Sequence, residues 1–595
     1  MTQIIVAPLL VTCLLTACTS VSTGPQLPPS AGPDWPSDWR PTTGQPRPTD
    51  VPYIDVTQDN VPATWTCEPT IIDTRTFASQ HQVADAWTGP TQRPGKLLRT
   101  HKHLKPPMSN AGPPNDLRPG GLTRGSVTGD HTTFNAIAAT PWTPPDPSIA
   151  VGPDHVLVTV NMAIAWYDKS GNEQFSAYLD STGNPGFFEE LGSGAFTFDP
   201  KCFYDPIAER FVVLALEFYD DTNESWITFA VSDDSDPNGI WYKYRTWSVV
   251  ANGSSTYWVD YPGFGFDDDA FYVTGNLFNL TGSSNWGGVL YRVIEKSSLL
   301  NGGVATVHDV RMGNHASAQC AQHYGSSSTA FFVSPQDQTR LRVSRIDDFT
   351  NPTVQTASVD VPSWGGPSSG APNPGGSVST LDGRILNVQW RDNTLYTCHA
   401  IDGPINNTVS RWYAFDVQSP ATPVLLQSGN IDTPPGVHNF FPAIGVNVYG
   451  DVGLVMAMAS QNDVPSMQVT GRRSDDPAGT MGALTETQTG TNGADGRYGD
   501  YYDMTIDPVD DATFWYVGEV SMDFGWQTCV GSFTITQPNT CLADTNDDGE
   551  VDVTDLLAAI AQWGEDGSAA GAAEPFDIVD VADILVMVSA FGSCP

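Results

Sequence analysis

The sequence predicts a mainly β protein: a seven-bladed β-propeller with a small α-helical module behind it. Three observations carry that expectation. Glycine and proline are abundant, 55 and 47 in 595 residues, and aromatic residues make up 10%, which is the composition of a turn-rich β chain and not of a helical bundle. Between residues 141 and 536 one theme recurs: an apolar strand, a second strand, and a third that breaks at an Asp/Ser/Pro turn before a fourth. From 537 to 595 the pattern changes to short apolar runs of helical period.

The unit openings stand near Ser148–Val151, Phe198-Asp199-Pro200, Asp260-Tyr261-Pro262, Tyr324-Gly325, Gly383-Arg384-Ile385, Phe441-Pro442 and Gly499-Asp500-Tyr501. The turns that break the third strand include Asp168-Lys169-Ser170-Gly171-Asn172, Asp233–Gly239, Asp347-Asp348, Asp416–Pro420 and Ser474–Pro477. Seven units across 141–536 give about 57 residues each, a little above the usual propeller repeat of roughly 40–50, with the surplus placed in loops 182–196 and 359–379. Radial repetition leaves few sheet edges free. A row of β-sandwiches accounts for the strands but not for one theme running through every unit.

The chain begins with an apolar stretch from Ile4 to Leu15, then Leu15-Thr16-Ala17-Cys18. The stretch is too short to span a bilayer and suits a signal peptide; Leu-Thr-Ala-Cys resembles a bacterial lipobox, which implies lipidation of Cys18, although the first residues carry no Lys or Arg. A plain secretory signal is the alternative, and both imply an extracytoplasmic address, with a membrane met only through a lipid anchor. Residues 19–60 form a Pro-rich tether, and 61–140 read as an N-terminal extension lying on the next domain. Acidic residues outnumber basic ones 67 to 27, a formal charge of −40, which repels nucleic acid and anionic lipid. Of nine cysteines, Cys541 and Cys594 bracket the last module and are spaced to clip its ends. With Cys13 and Cys18 set aside an odd number remains, so at least one of Cys67, Cys202, Cys320, Cys398 and Cys529 is expected to stay unpaired within the chain.

The sharpest motif runs from Asp544 to Asp555. Asp544, Asn546, Asp548, Asp552 and Asp555 fill loop positions 1, 3, 5, 9 and 12, Glu550 lies between them, and Gly549 stands at position 6. A hard cation needs many oxygens on a sharply turning backbone, so calcium is the expected cofactor. A second copy follows at an offset of 28, Asp555 matching Asp583 and Trp563 matching Phe591. Ala572, Glu574, Phe576 and Asp577 replace its ligands and glycine, so one working site and one decayed loop are expected. Residues 537–595 resemble a dockerin of the planctomycete-type secreted kind, which implies docking to a cohesin-like partner. The central region resembles uncharacterised exported bacterial propellers through Pro144–Pro153, Phe198–Lys201, Asp260-Tyr261-Pro262 and Arg497–Tyr501; that resemblance implies a fold and an address but no activity.

In a propeller each innermost strand starts at one mouth of the central channel. Asp146, Asp199, Asp260 and Asp500 stand at unit openings, with Arg384 and Arg497 at similar starts, and would together form an acid/base or cation site. Against this stands the reading that each Asp caps its own turn, which weighs more on sequence alone. His315, Cys320 and His323 lack a fourth metal ligand. Trp258, Trp286, Trp364 and Trp390 are candidates for sugar stacking or for filling gaps between blades. Asp236-Pro237-Asn238-Gly239-Ile240-Trp241 is a lone, shifted match to the sialidase Asp-box. The leading expectation is therefore an exported calcium-binding protein that binds polysaccharide or a surface partner. The alternatives are a glycoside hydrolase or lyase at the channel mouth, and a non-catalytic adhesin.

Overall fold

A computed structural model describes residues 54–55, 58–77, 81, 83, 132–180, 185–194, 196–219, 222–280, 285–523, 525–535, 550–561, 563, 584–585, 587–588 and 591–593. The described chain is mainly β, and its strands pair in consecutive antiparallel runs. Ser148–Val151, His155–Val160, Ala163–Asp168 and Glu173–Tyr178 pair in that order. Thr197–Asp205, Arg210–Tyr219, Glu224–Ser232 and Ile240–Trp247 follow, then Ser255–Phe266, Ala270–Asn279, Val289–Glu295 and Ala305–Met312. The pattern continues with Gln319–His323, Ala330–Asp337, Arg340–Ile346 and Gln355–Asp360. Asn387–Arg391, Thr394–Asp402, Thr408–Asp416 and Val424–Asn430 come next, then Val437–Val446, Val452–Ser460, Ser466–Arg472 and Thr485–Gln488. The last run, Asp503–Ile506, Phe514–Met522 and Gly525–Phe533, takes its fourth strand from Thr132–Ala138, far upstream.

Each leading strand lies against the leading strand of the next run, and Asp503–Ile506 lies against Ser148–Val151. Parallel hydrogen bonds join some of them directly, Phe266 to Gln322 and Ala321 to Val388. The break turns expected from sequence connect third to fourth strands, and their carboxylates serve local N–H groups: Asp168 Oδ1 accepts from Ser170 and Asn172, Asp416 Oδ1 from Gln418, and Asp348 Oδ1 from Thr350.

The core lies between facing runs. Trp166 stacks on Phe175 at 4.0 Å and meets Trp241, while Trp258 packs against Phe198, Phe218 and Phe278. Trp258, Trp364 and Trp390 are all buried, and Trp286 is half-buried against Phe278. These side chains fill gaps between sheets and offer no platform for a sugar.

Described residues ahead of 84 pair along outer edges. Ala63–Cys67 pairs with Ala305–Met312, Thr70–Asp73 with Ile240–Trp247, and His81 bridges to Ser176. Free outer edges invite pairing with other chains, and this belt covers several of them. It also helps bury Lys243, whose ammonium donates to the Phe187 carbonyl and lies 4.0 Å from the Phe187 ring centre and 5.4 Å from that of Phe77. Burial pushes the Lys243 pKa down to about 7. An unfolded lysine holds its proton to higher pH, so folding is penalised in full below about pH 7 and the penalty fades as pH rises toward the unfolded value. Lys243→Met is therefore expected to stabilise the protein by about 1–3 kcal/mol at pH 6, with the gain shrinking at pH 10 when thermal midpoints are compared.

All five described cysteines, Cys67, Cys202, Cys320, Cys398 and Cys529, are thiols; Cys13, Cys18, Cys541 and Cys594 lie outside the described residues, as do the signal segment and most of the 19–60 stretch. The described end of that stretch is docked on the sheets and not a free tether: Ile54–Asp55 pairs with Val250 and Ala251, and Asn60 donates to the Arg311 and Val354 carbonyls. No described helix is long and apolar enough to cross a membrane. Near the C-terminal end, Val553–Ala561 is helical and Glu550–Val551 pairs with Gly592–Ser593. Val551, Ala559 and Met587, with Leu556 and Ile584, form a small core joining the two sequence copies.

Candidate functional site

A left-handed residue stands within or ahead of each leading strand, at Asp146 (φ 50), Asp199 (45), Tyr261 (56), Ser317 (48), Leu381 (60), Phe441 (54) and Asp500 (64); Asp199, Tyr261 and Phe441 lie inside their strands and the other four before them. Proline follows four of these, at 147, 200, 262 and 442. Strand register slips there, between Leu214 and Leu216, Asp260 and Gly263, and Phe440 and Ala443. A non-glycine residue at positive φ breaks the regular pleat, and a bulge re-aims the side chains around it. The fourth opening is Ser317, ahead of Gln319–His323, and not Tyr324-Gly325. Ser317 carries neither the Asp nor the Pro that marks the other turns, which is why sequence placed it too late.

Five of these seven residues, Asp199, Tyr261, Ser317, Leu381 and Asp500, line a cavity of about 590 Å³. Asp199, Asp260, Asp500, Arg384 and Arg497, all selected from sequence, line it together with Tyr261, Asn276, Asp382 and Tyr501. Asp146 is not in the wall, but its charge acts on Arg497 alongside that of Asp199. Asp146 Oδ2 accepts from the Asn161 amide at 2.7 Å, and Asn161 Oδ1 accepts the Asp199 backbone N–H at 2.9 Å, so one asparagine ties two openings together. Asn276 repeats the device, its Oδ1 taking the Ser317 N–H at 2.7 Å.

Asp500 pairs with Arg497. Burial pulls the Arg497 pKa down, and Asp146 and Asp199 oppose that. Arg384 binds Asp382 through two nitrogens, each at 2.8 Å, and lies 4.3 Å from the centre of the Tyr261 ring. Burial alone would lower its pKa, but Asp382 holds it above the ordinary range. Asp205 and Asp267, at the far ends of their leading strands, spend a carboxylate oxygen on turn N–H groups.

Farther along the leading strands, Lys201 and Asp503 line a small separate cavity. The Lys201 ammonium sits 3.3 Å from the centre of the Tyr501 ring. Burial lowers its pKa against the pull of Asp503, Asp199 and Asp146, and burial raises that of Asp503. Asp503 Oδ2 accepts from the Ser148 hydroxyl and the Ile149 N–H, closing the last run on the first. Glu519, pushed up to about 8 by burial, accepts the Gly499 N–H at 2.6 Å and so fixes the loop bearing Arg497, Asp500 and Tyr501. Gly499 has φ 61, and a Cβ there would meet Phe441 at 2.7 Å. A second cavity of about 240 Å³ lies at the opposite ends of the leading strands, lined by Tyr204, Tyr324, Arg391 and Pro508.

Sequence reasoning passed over Lys201, Tyr501, Asp382, Asp503, Asn161 and Glu519. Four of these stand within three residues of a selected site residue, so the opening turns were the available signal. His315 and His323 are both pushed down to about 3 by burial, and Cys320 up to about 12. His315 bonds to the Tyr291 hydroxyl, and His323 stacks on Trp390. Among the described residues no group of three or more His, Cys, Asp or Glu is placed to hold a metal ion.

Of the expected calcium ligands, Asp544, Asn546 and Asp548 lie outside the described residues. Asp552 Oδ1 accepts the Thr554 N–H and the buried Asp555 Oδ2 accepts the Asp552 N–H, so both cap the start of the helix. Glu550 lies in the short strand ahead of it.

No protein-family model matches the sequence, and no curated protein matches it. Among solved structures, the chain is similar to a mutant Trypanosoma rangeli sialidase displaying trans-sialidase activity, at 13% identity and a TM-score of 0.29, over 55% of this chain and 52% of that one. The chain thus spans about half of the sialidase's length. It is also similar to an α-L-arabinofuranosidase of Fusarium graminearum solved with arabinobiose, at 9% identity and 0.32, over 66% and 92%. A lectin from Burkholderia pseudomallei matches at 8% identity and 0.34, over 66% and 97%. At such scores a function must be read from the site's own geometry.

Proposed function

We propose that the chain is a seven-bladed β-propeller whose central cavity hydrolyses glycosidic bonds in a polysaccharide. The antiparallel runs, their leading strands arranged neighbour to neighbour in a ring, support the blade count. The observation that carries the activity is the convergence of Asp199 and Asp260, from two adjacent leading strands, on one open cavity. Glycoside hydrolysis needs two carboxyl groups, one to protonate the leaving oxygen and one to activate water or attack the sugar. Asp500 is engaged by Arg497 and Asp146 by Asn161, which suits them to orienting the site. Non-catalytic binding called for an aromatic platform, and three of the four candidate tryptophans, Trp258, Trp364 and Trp390, are buried, so hydrolysis is the better reading. The test is reducing-end release by the full chain from a panel of plant, fungal and bacterial polysaccharides. Release is expected from at least one, and a panel without release removes the activity.

The same proposal keeps an exported protein, lipid-anchored at Cys18, with a calcium module at residues 537–595. Leu557, Ile560 and Trp563 are exposed, and so are their counterparts Leu585, Val588 and Phe591 at the offset of 28. A duplicated apolar stripe of this kind supports docking to a cohesin-like protein. Calcium titration of the full chain is expected to give one tight site that Asp544→Ala removes. Two equal sites would mean that the second loop still binds.

A further inference from the structure

We propose that the cavity selects a glycan bearing free amino groups and turns away one bearing carboxylates or sulfates. This rests on the reading of the cavity as a glycan site. Five carboxylates, Asp199, Asp260, Asp382, Asp500 and Asp503, line the cavity and the small one beside it, and Asp146 acts on Arg497 from outside the wall, against three cations, Lys201, Arg384 and Arg497. However these groups pair, negative charge is in excess, and it stays in excess with the buried Asp503 carboxyl protonated. The two arginines that would greet an anionic sugar already hold Asp382 and Asp500. A sugar carboxylate would have to displace those partners and enter a field of its own sign.

A second observation points to a polar ligand in the cavity. Tyr501 lines the cavity and is only 1% exposed, yet its hydroxyl has no hydrogen-bond partner. A phenolic hydroxyl both donates and accepts, so it fits a sugar hydroxyl or amine. Asp199 and Asp146 act electrostatically on the same tyrosine. The Tyr501 ring face is already taken by the Lys201 ammonium at 3.3 Å, so a ligand ammonium would be held by the wall carboxylates and the unpartnered Tyr501 hydroxyl. With no described group of His, Cys, Asp or Glu placed to hold a metal, an ammonium fits better than a bare divalent ion.

The probes are three tetrasaccharides, of glucosamine, N-acetylglucosamine and galacturonic acid, titrated calorimetrically into calcium-saturated full chain at pH 6 in low and high salt. The glucosamine oligomer is expected to bind at least about ten-fold tighter than its acetylated form, because only the former carries the charge. High salt and Asp199→Asn are expected to narrow that margin, and the galacturonate oligomer is expected not to bind. Equal binding of the first two, tighter binding of galacturonate, or a margin unmoved by both salt and Asp199→Asn overturns the selectivity and leaves the glycan site standing. Absence of heat with all three removes the glycan site itself. Magnesium that competes with the glucosamine oligomer at equimolar concentration would make this a metal site and overturn the proposal as well.

Discussion

Asp199→Asn and Asp260→Asn are each expected to lower kcat/KM on the released polysaccharide by about 10²–10⁴-fold, the range that a positioned acid or base contributes. Asparagine keeps the shape and most hydrogen bonds of aspartate but neither carries nor accepts the proton. The openings should therefore survive the change, since the Asp199 contact to Asn161 is made by its backbone N–H. Unchanged thermal midpoints would separate lost chemistry from lost fold. Asp500→Asn has a different signature: it loosens Arg497, so KM should rise more than kcat falls. Asp267→Asn is the control, because that carboxylate caps the turn Asp267–Ala270 away from the cavity. Parental rates in both of the first two variants would remove Asp199 and Asp260 from the chemistry.

The legible part of this site was its turns. A left-handed residue followed by proline is a strong local constraint, and Asp146-Pro147, Asp199-Pro200 and Asp260-Tyr261-Pro262 showed it in sequence alone. Position at an opening was enough to gather five of six selected residues into one cavity wall. Which way a carboxylate turns was not legible, because Asp205 and Asp199 both precede a proline within one strand, and only the former caps its own turn. Local period also could not reveal that Thr132–Ala138 completes the last run, since the pairing spans nearly four hundred residues of chain. The gap-filling reading of the tryptophans, the commoner one for such residues, needed the packed sheets to establish it. Trp258, Trp364 and Trp390 lie among polar neighbours in sequence, and only the packing of one sheet on the next buries them.

The largest stability effect is expected from Arg292→Ala, a loss of about 3–5 kcal/mol, the cost of leaving one half of a buried ion pair uncompensated. The Arg292 and Asp309 side chains are fully buried. Nε and Nη2 donate to Asp309 at 2.7 and 3.0 Å, Nη1 to the Thr246 hydroxyl at 2.7 Å, and Nη2 also to the Trp247 carbonyl at 2.6 Å. Trp65, on the outer belt, donates to the same Asp309 at 2.7 Å and lies 5.0 Å from the guanidinium. One cation thus ties Val289–Glu295 to its neighbour Ala305–Met312, to the preceding run at Ile240–Trp247, and to Ala63–Cys67 outside. Removal should lower the thermal midpoint and speed amide exchange first at residues 63–67, the outermost strand of that run. Arg292→Met paired with Asp309→Leu should recover much of the loss, because a matched apolar pair leaves no charge stranded. A drop below about 1 kcal/mol in the single variant would put the pair among those that contribute nothing measurable, and the belt would then be held by its strand hydrogen bonds alone.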